Sequence, residues 1–134
     1  MNIIAIILTA SMLMVSPAAN LSSLTFNNSA IVYGHNYLDG GEFYSLDMGD
    51  NVAVYFVDGS AKVYTVTDVQ AYAAQSTKLA STGEDFPLRV GSEWQTVTQV
   101  IDGLSFDGTI VLITCYPRIG QVTGRLFIQL IEVR

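Results

Sequence analysis

Three polar residues near the ends of apolar segments are the candidates for chemistry: His35, Cys115 and Arg125, of which the first two are the chain's only histidine and cysteine. A thiol attacks a carbonyl carbon well only as the thiolate, so a nucleophilic cysteine needs a positive neighbour. A histidine supplies that charge or protonates the leaving group, and an arginine supplies donors for the oxyanion of the tetrahedral intermediate. These residue types suit acyl transfer through a cysteine thioester.

Each of these residues also has an ordinary structural interpretation. A lone cysteine at the end of an apolar strand is often a buried core residue. A histidine after a glycine is commonly a surface residue, and an arginine at the start of a strand is commonly solvated. Arg118 is a competing cation, but Arg125 is favoured because it begins the strand expected to pair beside Cys115.

Apolar, β-branched segments predict the strands that must position these residues. The segment 30–33 leads into the histidine, and 109–114 ends at the cysteine. A loop is predicted over 116–124 and a final strand over 126–133. The chemistry would therefore lie where strands end.

The middle of the chain predicts one clear hairpin. Two β-rich runs, 51–57 and 62–69, flank Asp58-Gly59, which is a typical hairpin turn. Residues 70–80 are predicted to contain a helical turn, and 94–104 show loose helical spacing of apolar residues. Many short strands, glycine-rich turns and little helix indicate a β-barrel or a β-sandwich.

Composition excludes several classes of function. The chain has 134 residues, enough for one domain with a single core, and 50% of them are hydrophobic. A formal charge of −6, with only 6 Lys and Arg in total, argues against nucleic-acid binding. One cysteine and one histidine allow neither an internal disulfide nor a thiolate or histidine-based zinc site.

The first 19 residues have two interpretations. They could form two buried strands, 3–8 and 12–15. They could instead be a secretory signal, although no Lys or Arg precedes the apolar run as such a signal normally requires. The run is too short to span a bilayer.

Three motifs resemble those of the sortases, cysteine transpeptidases of the bacterial cell surface. The run Val111-Leu112-Ile113-Thr114-Cys115 is similar to their Thr-Leu-X-Thr-Cys signature, with Val111 in place of the first threonine. The run from Ile31 to Asn36 resembles the strand that leads to their catalytic histidine, and Arg125-Leu126-Phe127-Ile128 resembles their last strand. Met48-Gly49-Asp50 lies where sortases usually have Gly-Asp before a strand.

The resemblance implies an all-β fold, a single sortase-like domain over 1–134 that forms a closed β-barrel of about eight strands with short helices in the connections. Residues 3–8 and 12–15 would supply its first two strands and 19–24 a short helix, which favours strands over a signal peptide. It also implies an extracytoplasmic location at the bacterial cell surface, and we expect no membrane-anchoring segment in this chain.

For the site, the resemblance implies that Cys115 attacks the Thr–Gly carbonyl of a Leu-Pro-X-Thr-Gly-like sorting signal. His35 would protonate the departing amine and later deprotonate the incoming one, and Arg125 would bind the oxyanion or the substrate backbone. Thr114 would shape the substrate-binding site beside the cysteine. Trp94 and Ile101 are candidates for the substrate groove, although core packing is favoured for both.

The implied partners are surface proteins or pilins that carry a sorting signal, and an amine of peptidoglycan or pilin as acceptor. No cofactor is expected. Calcium is the alternative, through an acidic set for which a solvated loop is favoured: Asp39, Glu42, Asp47 and Asp50. Two other functions remain open at this point, a thioester hydrolase of the same fold and a non-enzymatic peptide-binding β-barrel.

Overall fold

The structure, a computed structural model, describes residues 3–8, 13–15, 21–34, 43–56, 59–73, 87–119 and 122–133. Side chains are described for 25–34, 43–56, 59–73, 88–114 and 124–133. This part of the chain forms the following elements: β1 (Ile3–Leu8), β2 (Leu13–Val15), β3 (Leu21–Phe26), β4 (Ser29–Gly34), β5 (Asn51–Phe56), β6 (Ala61–Ala73), β7 (Pro87–Val90), β8 (Glu93–Thr96), α1 (Val97–Leu104), β9 (Ile110–Ile119) and β10 (Val122–Glu132).

Eight strands form one curled sheet in the order β2-β1-β5-β6-β10-β9-β4-β3, and β7 pairs with β8 in a separate two-stranded sheet. Only the β4–β9 pair is parallel among the described ladders. The predicted closed barrel is not confirmed, because β2 and β3 are the two open edges of the sheet that the described residues form. Closure requires hydrogen bonds between the edge strands, and the described part of β2 has three residues.

Both faces of the sheet are buried around β9, which explains its continuous apolar sequence. Ile110 and Leu112 belong to a large cluster together with residues of β4, β5, β6 and β10. Val111 and Ile113, which alternate with them, belong to a helix-side cluster whose other buried members are Ile31, Leu88, Val97, Val100, Ile101 and Phe127. The strand that leads to the cysteine therefore lies in the centre of the core.

Helix α1 covers one face of this central region and is fixed at both ends. Thr96 and Gln99 form a capping box, with bonds of 2.8 and 3.1 Å between backbone N–H groups and side-chain oxygens. At the other end, Gln129 of β10 donates to the carbonyl of Leu104 at 2.7 Å. The helical spacing predicted from position 94 is correct from Val97 onward, whereas Trp94 lies in β8 because the cap at Thr96 sets the start of the helix.

The predicted hairpin is confirmed as β5 and β6, which pair antiparallel. Gly59 has a φ of 87°, a conformation that suits glycine in the turn. The turn before β5 is confirmed as well, with Gly49 at a φ of 89°. It is tied to β6 by two backbone bonds with Val66, of 2.8 and 2.9 Å.

Two local predictions are wrong, and a third is tested only in part. The segment predicted as a helix over 19–24 contains strand β3, joined to β4 by Asn27 and Asn28, both at positive φ as a two-residue hairpin turn requires. Of the residues 70–80 expected to contain a helical turn, 70–73 belong to strand β6, because β10 pairs with β6 along this length, and 74–80 lie outside the described residues. The loop predicted over 116–124 is largely the extended end of the β9–β10 pair.

Among the described residues, no helix has the length and apolar character needed to cross a membrane.

Candidate active site

The strand register places two of the three candidate positions side by side. Arg125 of β10 is paired directly with Cys115 of β9 in their antiparallel ladder. On the other side of β9, the parallel ladder with β4 pairs Thr114 with Gly34. Thus the residue that precedes the cysteine is adjacent to the residue that precedes the histidine. His35 itself and the side chain of Cys115 lie outside the described residues.

Arg125 is a buried residue, with 7% of its surface exposed. This contradicts the solvated interpretation of an arginine at a strand start. Its Nη1 donates to the carbonyl of Gly124 at 3.2 Å. A guanidinium keeps its charge when buried, so the protein holds a fixed positive charge at this position of the sheet, where water screens it weakly.

Thr114 has 2% of its surface exposed, and its Oγ1 donates to the carbonyl of Gly34 at 2.7 Å. That carbonyl belongs to the peptide group that joins Gly34 to His35. The predicted substrate-binding threonine thus uses its hydroxyl inside the protein, in a bond that ties the strand before the histidine to the strand before the cysteine. A short, partly buried bond of this kind helps to fix the backbone locally.

Tyr72 of β6 extends this arrangement by one strand, since it is paired with Arg125 on the side away from Cys115. We call the register positions Tyr72, Arg125 and Cys115 the cross-strand row. The Tyr72 ring is half-buried and lies 5.9 Å from the ring of Phe127, centroid to centroid. Burial, and secondarily the charge of Asp68, raise the pKa of its hydroxyl above the usual 10.0.

Sequence reasoning missed Tyr72 because residues 70–80 were expected to contain a helical turn. The final strand was predicted over 126–133, whereas β10 begins at Val122, so the predicted strand gave no signal that β6 extends past position 70.

The other two predicted substrate-binding residues are not members of the row. Trp94 is on β8 with 48% of its surface exposed, and the Arg89 guanidinium lies 5.3 Å from its ring centroid. Ile101 is buried in α1 and packs in the helix-side cluster. Ile101 is therefore a core residue, whereas Trp94 lies on the surface and is not part of the core.

The acidic set considered for calcium is only partly described, since Asp39 and Glu42 lie outside the described residues. The Asp47 N–H donates to Asp50 Oδ2 at 2.9 Å, so one of these carboxylates closes its own turn. Within the described ranges, no three His, Cys, Asp or Glu side chains are grouped closely enough to hold a metal ion.

Comparison with known proteins identifies the family to which this chain belongs. The sequence model of the sortase domain matches residues 11–130. The chain therefore belongs to the sortase family. A search of curated protein sequences gave no match.

Solved structures of sortases have the same fold at low sequence identity. Sortase C from Clostridium perfringens SM101 is 16% identical with a TM-score of 0.58, over 99% of this chain and 71% of that one. C. perfringens sortase C with the C-terminal cell wall sorting motif is 16% identical with a TM-score of 0.59, and the match covers 99% of this chain and 71% of that one. Sortase A from Corynebacterium diphtheriae is 15% identical with a TM-score of 0.57. The match covers 100% of this chain and 61% of that one.

Proposed function

We propose that this protein is a cysteine transpeptidase that cleaves a sorting signal through a Cys115 thioester and transfers the acyl group to an amine. The observation that carries the proposal is the register of β9, with Arg125 opposite Cys115 on one side and Gly34 opposite Thr114 on the other. Membership of the sortase family supports the same chemistry.

In this proposal, covalent continuity brings His35 to the site. His35 follows Gly34, and consecutive Cα atoms are about 3.8 Å apart, so the histidine starts within one residue of a position fixed against β9. The hydrogen bond from Thr114 to the Gly34 carbonyl holds the peptide group that joins Gly34 to His35. The proposal requires the His35 side chain to reach the next position on β9, which is the cysteine.

The proposed reaction has two halves. The thiolate of Cys115 attacks the carbonyl carbon of the scissile peptide bond, a C–S bond forms, and the oxygen takes the negative charge. Arg125 stabilises that oxyanion, and its charge one strand away also favours the thiolate over the thiol. The C–N bond then breaks as His35 gives its proton to the departing amine.

In the second half an acceptor amine attacks the thioester carbonyl. His35 takes the proton of this amine, the C–S bond breaks, and a new peptide or isopeptide bond releases the cysteine. A buried, water-poor arginine suits both halves, because each passes through an oxyanion at the same place.

We infer that the substrate is an extended peptide of the Leu-Pro-X-Thr-Gly kind, carried by a surface protein or a pilin. The amine acceptor would be that of peptidoglycan or of a pilin, and the reaction would take place at the bacterial cell surface. The similarity to a sortase C solved with a C-terminal cell wall sorting motif supports this choice of substrate.

The function is tested by separating the products from a panel of Leu-Pro-X-Thr-Gly-type peptides, with and without triglycine or diaminopimelate. A transpeptidase forms a peptide–amine conjugate in amounts that rise with amine concentration. Release of free acid alone, whatever the amine, would instead show the thioester hydrolase. Intact peptide in every reaction would refute both and favour a peptide-binding protein.

A further inference from the structure

The cross-strand row has a member that the proposed reaction does not use. Tyr72 stands next to Arg125, two strand spacings from Cys115, and its position faces the same side of the sheet because directly opposed residues of antiparallel strands share a face. Two spacings are about 10 Å, which is the length of about three residues of extended peptide.

The surroundings of Tyr72 differ from those of a core residue. Phe127 lies two residues after Arg125 on the same face of β10, fully buried in the helix-side cluster beneath α1 and Leu88. Tyr72 packs on the edge of that cluster, with its ring against Phe127 and part of its surface open to solvent. The cluster thus supports the ring from one side and leaves another side accessible.

We propose that Tyr72 contacts the peptide substrate, donating a hydrogen bond from its hydroxyl to the peptide within about three residues of the reacting carbonyl. This inference rests on the proposed transpeptidase function and adds a binding residue to its site. A tyrosine suits this place because its ring is held rigidly at small entropic cost while its hydroxyl donates to a carbonyl oxygen.

The raised pKa of the hydroxyl is consistent with this role, because it keeps the group protonated, and therefore a donor, at any pH where the enzyme is expected to work. The neighbouring side chains on the same face of β6 are Gln70 and Asp68, which bond to each other at 3.0 Å. Gln70 is the donor in this bond and Asp68 the acceptor, so part of the hydrogen-bonding capacity of both side chains is used on β6 itself.

The test is steady-state kinetics of peptide turnover for the wild type, Tyr72→Phe and Tyr72→Ala, with Tyr55→Phe and Tyr55→Ala as matched controls on the exposed face of β5. Tyr72→Phe keeps the ring and its packing. It should raise KM for the peptide about fivefold with kcat within about twofold of wild type, since the lost bond is made to substrate and transition state alike. Tyr72→Ala should raise KM further, and the Tyr55 variants should not change it.

Two results would overturn the inference while the proposed function stands: a KM for Tyr72→Phe within about twofold of wild type, or a loss confined to kcat, which would indicate a role in the chemistry instead of in binding. If the wild type itself turns over no peptide, the proposed function fails and the inference fails with it. The control is the midpoint temperature of thermal unfolding. A midpoint for Tyr72→Phe equal to that of the wild type shows that the change in KM does not come from lost stability.

Discussion

Arg125 is the cross-strand partner of Cys115, directly opposed to it in the β9–β10 ladder. Because β10 is held by β6 on its other edge and β9 by β4, neither strand can slide without breaking two ladders. The backbone of Arg125 is therefore fixed relative to that of Cys115 by the sheet, not by a flexible loop. The proposed function uses this arrangement, because preorganised donors need no rearrangement as an oxyanion forms.

Arg125→Ala should lower kcat about 100-fold or more, because removal of one preorganised oxyanion donor has an effect of that order. KM for the peptide should change much less, since the interaction is made mainly in the transition state. Arg118→Ala serves as the comparison and should leave kcat within about threefold. A greater loss from Arg118→Ala than from Arg125→Ala would show that the oxyanion role has been given to the wrong residue.

Thr114→Val should both destabilise the protein and slow the reaction. It leaves the partly buried carbonyl of Gly34 without its side-chain donor at nearly constant volume, at a cost of about 1 kcal/mol in the free energy of unfolding. It also frees the peptide group next to His35, so kcat should fall about tenfold. Thr114→Ser keeps the hydroxyl and should recover most of kcat. Equal activity in the valine and threonine proteins would exclude the positioning role.

Ile101→Ala and Trp94→Ala should separate core packing from substrate binding. Ile101 is buried under α1, so its truncation should lower the free energy of unfolding by about 2–4 kcal/mol, measured by urea denaturation. Trp94→Ala removes an exposed ring and should change stability by less than about 1 kcal/mol. If Trp94 binds substrate, as the resemblance implies, its variant should raise KM. An unchanged KM would leave it a surface residue.

Stability should fall in alkaline solution because two tyrosines are held in the neutral form. Burial raises the pKa of Tyr64 above 10.0, with the charge of Glu132 adding to it, and burial does the same for Tyr72. The unfolded chain loses these protons first as the pH rises. The free energy of unfolding is therefore unaffected by them below about pH 10 and decreases as the pH rises toward the folded pKa values.

Urea unfolding at about pH 9 and about pH 11 measures this effect, and Tyr64→Phe should weaken the dependence on pH. If the wild type had the same free energy of unfolding at both pH values, Tyr64 and Tyr72 would have the same pKa in the folded protein as in the unfolded chain.

Local patterns predicted the parts of this fold that local chemistry determines. The Asp58-Gly59 hairpin and the Met48-Gly49-Asp50 turn depend on residues that prefer a particular backbone conformation, and both are present. The pairing of Arg125 beside Cys115 was expected from two apolar strands separated by a short connection, and the register confirms it.

The errors lie where long-range pairing decides the structure. Residues 21–26 have no strong strand pattern, yet they become β3 because the Asn27-Asn28 turn folds them back on β4. The extension of β6 past position 70 depends on β10, which lies more than 50 residues later. Closure of the sheet into a barrel requires pairing between the two edge strands. The eight strands of the sheet match the predicted number, but that number does not determine whether the edge strands pair with each other.

The proposed function depends on an acyl thioester between Cys115 and a sorting-signal peptide. This intermediate is detected by intact mass after incubation with Leu-Pro-X-Thr-Gly-type peptides, in the wild type and in Cys115→Ala with its folding checked by circular dichroism. We predict a mass increase equal to the acyl fragment on the wild type alone, removed by hydroxylamine or triglycine. No adduct with any peptide, or an equal adduct on Cys115→Ala, would contradict it.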